Sequence, residues 1–346
     1  MSLHNKDHVD LGTYRYHLMK DDQEFYLYSP VQAEYDAEMA RLAEIEKKLL
    51  AANNTQADLI SASANAAVSE FSSQINALLH INSYLDRKLT EKQNKEWYFW
   101  SRVENQKMHN RSDLYRSYQQ NINLQQMGIE KQLSNNVAFG TLYSLTQTKD
   151  LYADNIVGKR KIHQLSMYLK KYWTDNFFSS IDIGYAKSNN QIDANGEQNK
   201  FSRNIWSFGA NLGYGFNVAN VKIQPHLALR YYQLSSVDYA INELNAKANE
   251  NVLAYHAGIS ISKVFQYNEL SIRPEFTSYY VDANHKSANI ESNDIQLSSE
   301  FNRQLRNDLN VNLQYKNMNL NLGFGLGYGS NVDKQRLLNL QFGYTW

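Results

Sequence analysis

The chain has no cysteine, only 3 prolines in 346 residues, and no long uninterrupted apolar run. Without cysteine there is no disulfide framework, thiolate nucleophile or zinc–thiolate site. Lys+Arg and Asp+Glu number 35 each, giving zero net charge, whereas a nucleic-acid partner demands a basic excess. No stretch of about 18 apolar residues exists, so no helix is apolar enough to span a bilayer. That leaves β-barrels open, because half of each barrel strand faces a polar lumen and dilutes the hydropathy signal. No secretory signal opens the sequence: residues 1–7 are polar and charged. A chain that crosses the inner membrane is therefore expected to extend further upstream.

What is abundant is tyrosine, with 25 residues, within an aromatic content of 13%. Aromatic girdles at a membrane boundary account for such an excess; a tyrosine-rich β-sandwich is the soluble alternative. The C-terminus decides between them. Leu338, Leu340, Phe342, Tyr344 and Trp346 alternate with polar or small residues, the period-two pattern of a strand with one apolar face. An aromatic on the very last residue is the pattern of a closing strand in an outer-membrane barrel.

The same alternation recurs from about Glu96 onward, in Trp97–Gln106, Tyr115–Gln132, Val137–Thr148, Ile162–Tyr172 and Phe177–Ser188. It continues in Trp206–Phe216, Val221–Tyr231, Leu253–Ser262, Leu270–Val281, Leu309–Tyr315 and Met318–Tyr328. With the closing segment this makes about twelve strands, many about ten residues long, the length that crosses a bilayer at a tilt. A phase change between Ile122/Leu124 and Met127/Ile129 predicts a bulge. Pro225 and Pro274 fall inside strands and forfeit ladder hydrogen bonds, which a bulge or rim position would accommodate.

Charges inside these strands share the polar register: Arg102, Glu104, Glu130, Asp182, Arg230, Arg273 and Glu275, with Lys222 beside them. About twelve strands enclose a space too wide for side chains alone to fill, so the polar face lines a lumen and the apolar face meets lipid. The glycines of Gly323–Gly329 alternate with Phe324, Leu326 and Tyr328. They are expected to face the lumen and leave room there, and no following helix supports a phosphate loop.

Ahead of the barrel, residues 31–92 contain no glycine or proline. Val31–Leu50 has a strong helical pattern; after Asn53-Asn54-Thr55 helix is expected again over about Ala57–Leu89, rich in Ala and Ser. A helix of small residues is thin enough to enter something narrow. Two short strands, Leu11–Leu18 and Glu24–Tyr28, precede it.

The layout resembles the C-terminal region of a type V secretion autotransporter, most closely the IgA-protease-like serine protease group. The residues that carry the resemblance are Leu11–Leu18 (LGTYRYHL) with Glu24–Tyr28 (EFYLY), Ser83–Leu89 (SYLDRKL), Asp113–Gln120 (DLYRSYQQ) with Gly128–Glu130, and Leu340–Trp346 (LQFGYTW). The resemblance implies an all-β fold, an antiparallel transmembrane β-barrel of about twelve strands preceded by an α-helical linker that plugs the lumen. It assigns 1–30 to the end of a passenger, 31–92 to the linker and 93–346 to the barrel. The implied function is to bring the chain's own passenger, a serine protease or adhesin, to the surface of a Gram-negative cell.

The implied partners are outer-membrane lipid, periplasmic chaperones, the barrel assembly machinery reading the closing strand, and the passenger itself. No nucleic acid, cofactor or metal is implied, and the expected state is a monomer. The barrel is not expected to be an enzyme. Some relatives cut their linker inside the barrel when an Asn attacks its own backbone carbonyl. The candidates here are Asn76-Ala77 and Asn53-Asn54, although Asn76 departs from the Asn-Asn-Leu-Asn pattern. Asp86 and Arg87 are candidates for pairing with lumen charges. The competing reading is a free-standing channel for small solutes, against which the helical lead counts. A barrel hydrolase would need Ser and His side by side, and His163 and Ser166 fall on opposite faces.

Overall fold

The computed structural model describes residues 8–11, 14–20, 25–28, 55–88, 96–242, 244–248, 251–283, 288–292, 295–299, 303–330 and 332–346. The expected helix over Val31–Leu50 and the Asn53-Asn54 pair lie outside them.

The chain begins with three antiparallel strands, β1 (His8–Leu11), β2 (Tyr14–Lys20) and β3 (Phe25–Tyr28). The expected first strand, Leu11–Leu18, is thus divided between β1 and β2. Helix α1 (Gln56–Leu59) and helix α2 (Ala62–Lys88) follow. Then come β4 (Trp97–Asn110), β5 (Tyr118–Ser134), β6 (Val137–Leu151), β7 (Val157–Tyr172), β8 (Phe177–Ala194), β9 (Glu197–Tyr214) and the short β10 (Phe216–Val218). Next are β11 (Val221–Leu234), β12 (Val237–Ile241), β13 (Leu244–Ala248), β14 (Asn251–Lys263), the short β15 (Phe265–Tyr267) and β16 (Leu270–Ala283). The remainder comprises β17 (Ala288–Ser292), β18 (Ile295–Ser299), β19 (Gln304–Tyr315), β20 (Met318–Gly329) and β21 (Val332–Thr345).

Twelve long strands, β4–β9, β11, β14, β16 and β19–β21, pair antiparallel in sequence order, and β21 pairs back onto β4. The ring is closed and has no free edge, the condition for a sheet in lipid. At the seam, Trp97 and Trp346 exchange both backbone hydrogen bonds at 3.2 Å, and their rings stack at 6.3 Å and 7°. Short turns and this seam mark one end, the turn end. Longer connections mark the other, the loop end, where β12, β13, β17 and β18 form a separate four-stranded sheet.

Alternation along the strands puts Val103, Leu165, Ile181, Leu227, Leu309 and Leu338 outside, while Glu104, Gln164, Asp182, His226 and Asp308 are buried inside. Two expectations are corrected. The bulge expected between Ile122/Leu124 and Met127/Ile129 is absent there: β5 keeps one register with β4 from Lys131 to Tyr118, and the shift it does show, against β6, falls at Gln132/Ser134. The phase of the sequence changes because Ile122 and Leu124 point inward and are buried in the lumen, whereas Met127 and Ile129 point outward. Tyr115, expected in this strand, is a buried residue of the preceding loop.

The prolines sit where a neighbouring strand is interrupted. β11 pairs with β10 through Ile223 and with β9 from His226, leaving Pro225 in the gap; Pro274 lies in the equivalent gap between β15 and β14. On that side the missing N–H has no ladder partner to lose.

Helix α2 has 27 residues, so it extends about 40 Å at 1.5 Å per residue. Every described side chain from Ser63 to Asp86 is buried. Its N-terminal half packs against the loop-end sheet, and the rest descends between the strands. Ser61 caps it by accepting the Ala64 N–H at 3.2 Å.

Replacing Trp346 with Ala removes the seam's ring stacking, worth about 1 kcal/mol beyond area burial. The barrel should then unfold at lower urea, read from its change in gel mobility without boiling; an unchanged midpoint would remove the seam from the account.

Candidate functional site: a polar helix in a polar lumen

A helix carrying Ser, Asn, Gln, Glu, His and Asp can be buried on all sides only if the wall supplies partners. It does so at successive heights. Near the loop end, Glu70 pairs with Arg160 of β7 at 2.8 Å; the same guanidinium donates to Ser73 Oγ at 2.9 Å and lies 3.5 Å from Asp150. Arg203 of β9 donates to Gln74 Oε1 at 2.7 Å. Midway, Asn76 donates to Tyr118 Oη at 3.2 Å and Asn110 Oδ1 at 3.4 Å, and accepts from Gln304 at 3.3 Å. His80 Nε2 lies 2.9 Å from Glu104, which also pairs with Arg102. Asn82 accepts from Gln164 at 2.8 Å.

Nearest the turn end, Asp86 accepts from Arg230 Nη2 at 2.6 Å. Arg230 also binds Asp182 at 2.6 and 2.9 Å. A Cβ at Gly209 would collide with both Asp182 and Arg230, so this glycine makes the triad possible. The same holds for the glycine run in β20. Gly323, Gly325 and Gly327 face inward as expected, yet what they admit is Asn339, Asp308 and Gln335 from adjacent strands rather than the helix.

The wall also reads the helix backbone. Gln120 donates to Ser73 O at 2.8 Å, Gln126 to Ile81 O at 3.1 Å and Tyr232 to Leu78 O at 3.2 Å, and from the loop-end sheet Ser299 donates to Val68 O at 3.0 Å. A helical carbonyl keeps a second lone pair for such a bond.

At the loop end, Arg116 from the β4–β5 loop donates to Ala57 O at 3.0 Å and pairs with Asp154. Asp10 of β1 pairs with Arg15 at 3.0 Å and accepts the Ala62 N–H at 2.9 Å. Burial works to raise the Asp10 carboxyl, but the Arg15 and Ala62 hydrogen bonds outweigh it and hold it below the usual carboxylate range.

Of the lumen charges expected from sequence, Arg102, Glu104, Asp182 and Arg230 join the network around the helix. Glu130 pairs with Lys170 at 2.9 Å and accepts from Tyr168 at 2.8 Å within the wall. Lys222, Arg273 and Glu275 sit toward the turn end and are not buried. Asp86 meets Arg230 as expected; the Arg87 side chain lies outside the described residues. Sequence reasoning missed Arg160, Asp150, Lys170, Arg203, Arg306 and Asp308. All occupy the inward register, and strand boundaries set several residues longer at the loop end would have included the first two.

The family model "Autotransporter beta-domain" matches residues 99–334. The chain belongs to this family. The autotransporter β-domain is a translocator in the Gram-negative outer membrane, and a helix inside a twelve-stranded barrel is its arrangement here. Among curated relatives, the adhesion and penetration protein autotransporter of Haemophilus influenzae is 25% identical over 84% of this chain and 20% of its own length. The IgA-specific serine endopeptidase autotransporter of Neisseria gonorrhoeae is 25% identical over 81% of this chain and 18% of its own length. The chain thus spans about a fifth of these relatives. In fold it is similar to the translocator domain of autotransporter NalP from Neisseria meningitidis, with a TM-score of 0.67 at 10% identity over 82% of this chain and 100% of that one. The transport unit of the autotransporter AIDA-I from Escherichia coli gives 0.60 at 16% identity over 80% and 98%.

Removing one member of a buried ion cluster strands the others, at about 3–5 kcal/mol. Arg230→Met should therefore loosen the autotransporter helix, raising hydrogen exchange at amides 78–88. Replacing Asp86, Asp182 and Arg230 together by Leu, Leu and Met should restore much of the protection. Equal exchange in all three proteins would contradict a role for the triad in holding the helix.

Proposed function

We propose that the barrel delivers a passenger of which residues 1–30 are the last part, and that this passenger is a serine protease or adhesin like those carried by the named relatives. In this reading residues 1–30 end the passenger, 31–92 are the linker and 93–346 the translocator. The observation that supports it most is a covalent path: β1 and β2 meet the mouth of the barrel at the loop end, α2 runs down the lumen, and β4 begins at the turn end. The loop end is accordingly the cell-surface end. This path supports reading β1–β3 as the tail of a passenger and α2 as its tether.

The closing strand, with Leu338, Leu340, Phe342, Tyr344 and Trp346 outward, is in our reading the segment that the barrel assembly machinery recognises after periplasmic chaperones deliver the chain. The barrel then works as a monomer in lipid. We further propose that Asn76 holds the helix and that the Asn76–Ala77 bond stays whole. Self-cleavage would need an acid or base beside the Asn amide, and the hydrogen-bond partners of Asn76 are the neutral Tyr118, Asn110 and Gln304. His80 shares a cavity of about 20 Å³ with Asn76 but is paired with Glu104 at 2.9 Å instead.

An epitope placed upstream of His8 and read on intact cells tests the direction of transport. Antibody should label it without permeabilisation; labelling only after permeabilisation would overturn the orientation. N-terminal sequencing of the barrel from isolated outer membranes should show residues 55–88 still attached, and a new terminus at Ala77 would overturn the holding role of Asn76.

A further inference from the structure

The outer wall carries a basic row near the loop end. One register row crosses seven consecutive strands from β21 through β4 to β9. Arg336 faces Lys107, Lys107 faces Asn121, and Asn121 faces Lys149. Lys149 faces Lys159, followed by Gln191 and Lys200. Its five cations are all exposed and point outward, in the same register as Leu338 and Leu165.

Two features of this row are physically costly as they stand. Arg336 opposes Lys107 and Lys149 opposes Lys159 directly across a strand pair, and like charges so placed repel. Among the described residues, no carboxylate forms an ion pair with any of the five. The nearest outward acid along β8, Asp193, instead accepts from Gly196 N and Gln198 in its own hairpin turn. The lysines of the turn end differ: Lys131, Lys171 and Lys263 each lie over an aromatic ring.

The row's position identifies what would neutralise it. Toward the turn end on the same outward faces lie Met127, Tyr143, Leu165, Tyr185 and Trp206, successive partners across β5–β9. That row belongs to the lipid-facing band. Between it and the cations are two rows carrying Lys161 and Lys187 among Asn123, Gln125, Asn189 and Ser202, and a concavity in the wall is lined by Lys149, Lys159, Lys161 and Lys200. A basic zone continuous with the lipid surface, on its loop-end side, meets the headgroups of the outer leaflet.

We propose that this row binds the phosphate groups of the phosphorylated glycolipid of the outer leaflet, with each like-charged pair sharing one phosphate. Charge-assisted hydrogen bonds from lysine and arginine to phosphate are strong, and clustered bases next to a membrane surface recruit anionic lipid. The placement rests on the loop end being the cell-surface end, which the epitope experiment tests separately. Lipid binding in detergent does not depend on orientation.

The test uses the full chain folded in detergent, with bound lipid counted by native mass spectrometry. The probes are a bisphosphorylated lipid A-type glycolipid, the same lipid after phosphatase treatment, and inorganic phosphate. The bisphosphorylated form should bind at least tenfold more tightly than the dephosphorylated form. The quadruple variant Lys107→Gln, Lys149→Gln, Lys159→Gln, Arg336→Gln should lose that preference. Lys131→Gln with Lys171→Gln and Lys263→Gln, at the other rim, should keep it. Equal binding of the two lipids by the unaltered chain would overturn the proposal whether or not the variant folds. So would full retention by the quadruple variant, or displacement of the lipid by inorganic phosphate at equal concentration.

Discussion

A ring of twelve strands cannot fill its own interior with side chains, and everything else in this protein follows from how that space is occupied. The wall must be polar inside because its other face is committed to lipid. A polar wall around an ordinary apolar helix would leave its donors and acceptors buried without partners. The helix is therefore polar as well, and its burial is secured by hydrogen bonds and ion pairs distributed from Glu70 to Asp86 rather than by an apolar stripe. Several of those bonds land on helix carbonyls, which every sequence has. Others land on Glu70, Gln74, His80 and Asp86, which fix the register of this particular helix.

The same constraint explains the glycines. Large polar groups crowd parts of the inward face, where Gly209 admits the Arg230–Asp182 pair and Gly325 admits Asp308. Small residues occur on both partners for different reasons: on the helix they thin the cylinder, and on the wall they make room for neighbouring strands. Ile122 and Leu124 form the complementary exception, apolar residues facing inward because at that height they meet the helix rather than water.

Much of this was legible in the sequence. Alternation located all twelve barrel strands, the terminal aromatic located the closing one, and the stretch of small residues ahead of Trp97 marked a helix able to enter a lumen. What escaped was set by packing across strands. Strand ends at the loop end were too short because the outward face there turns polar, so Lys149, Lys159 and Lys161 erase the apolar alternation that defines a strand. The apparent phase break in β5 was a true change of environment read as a change of geometry. The loop-end sheet of β12, β13, β17 and β18 left no strong periodic signal, since its short strands are stabilised by the helix and the barrel mouth together. Arg160 and Arg203 could be assigned to the lumen only once the strands carrying them were extended.

Single-channel conductance in a planar bilayer tests the central claim most directly, comparing the intact chain with one lacking residues 57–88. A matched polar helix in a polar lumen predicts a small, quiet conductance for the intact chain and a large, steady pore once the helix is gone. Equal conductance in the two would mean that the helix does not fill the barrel, and the account would fail.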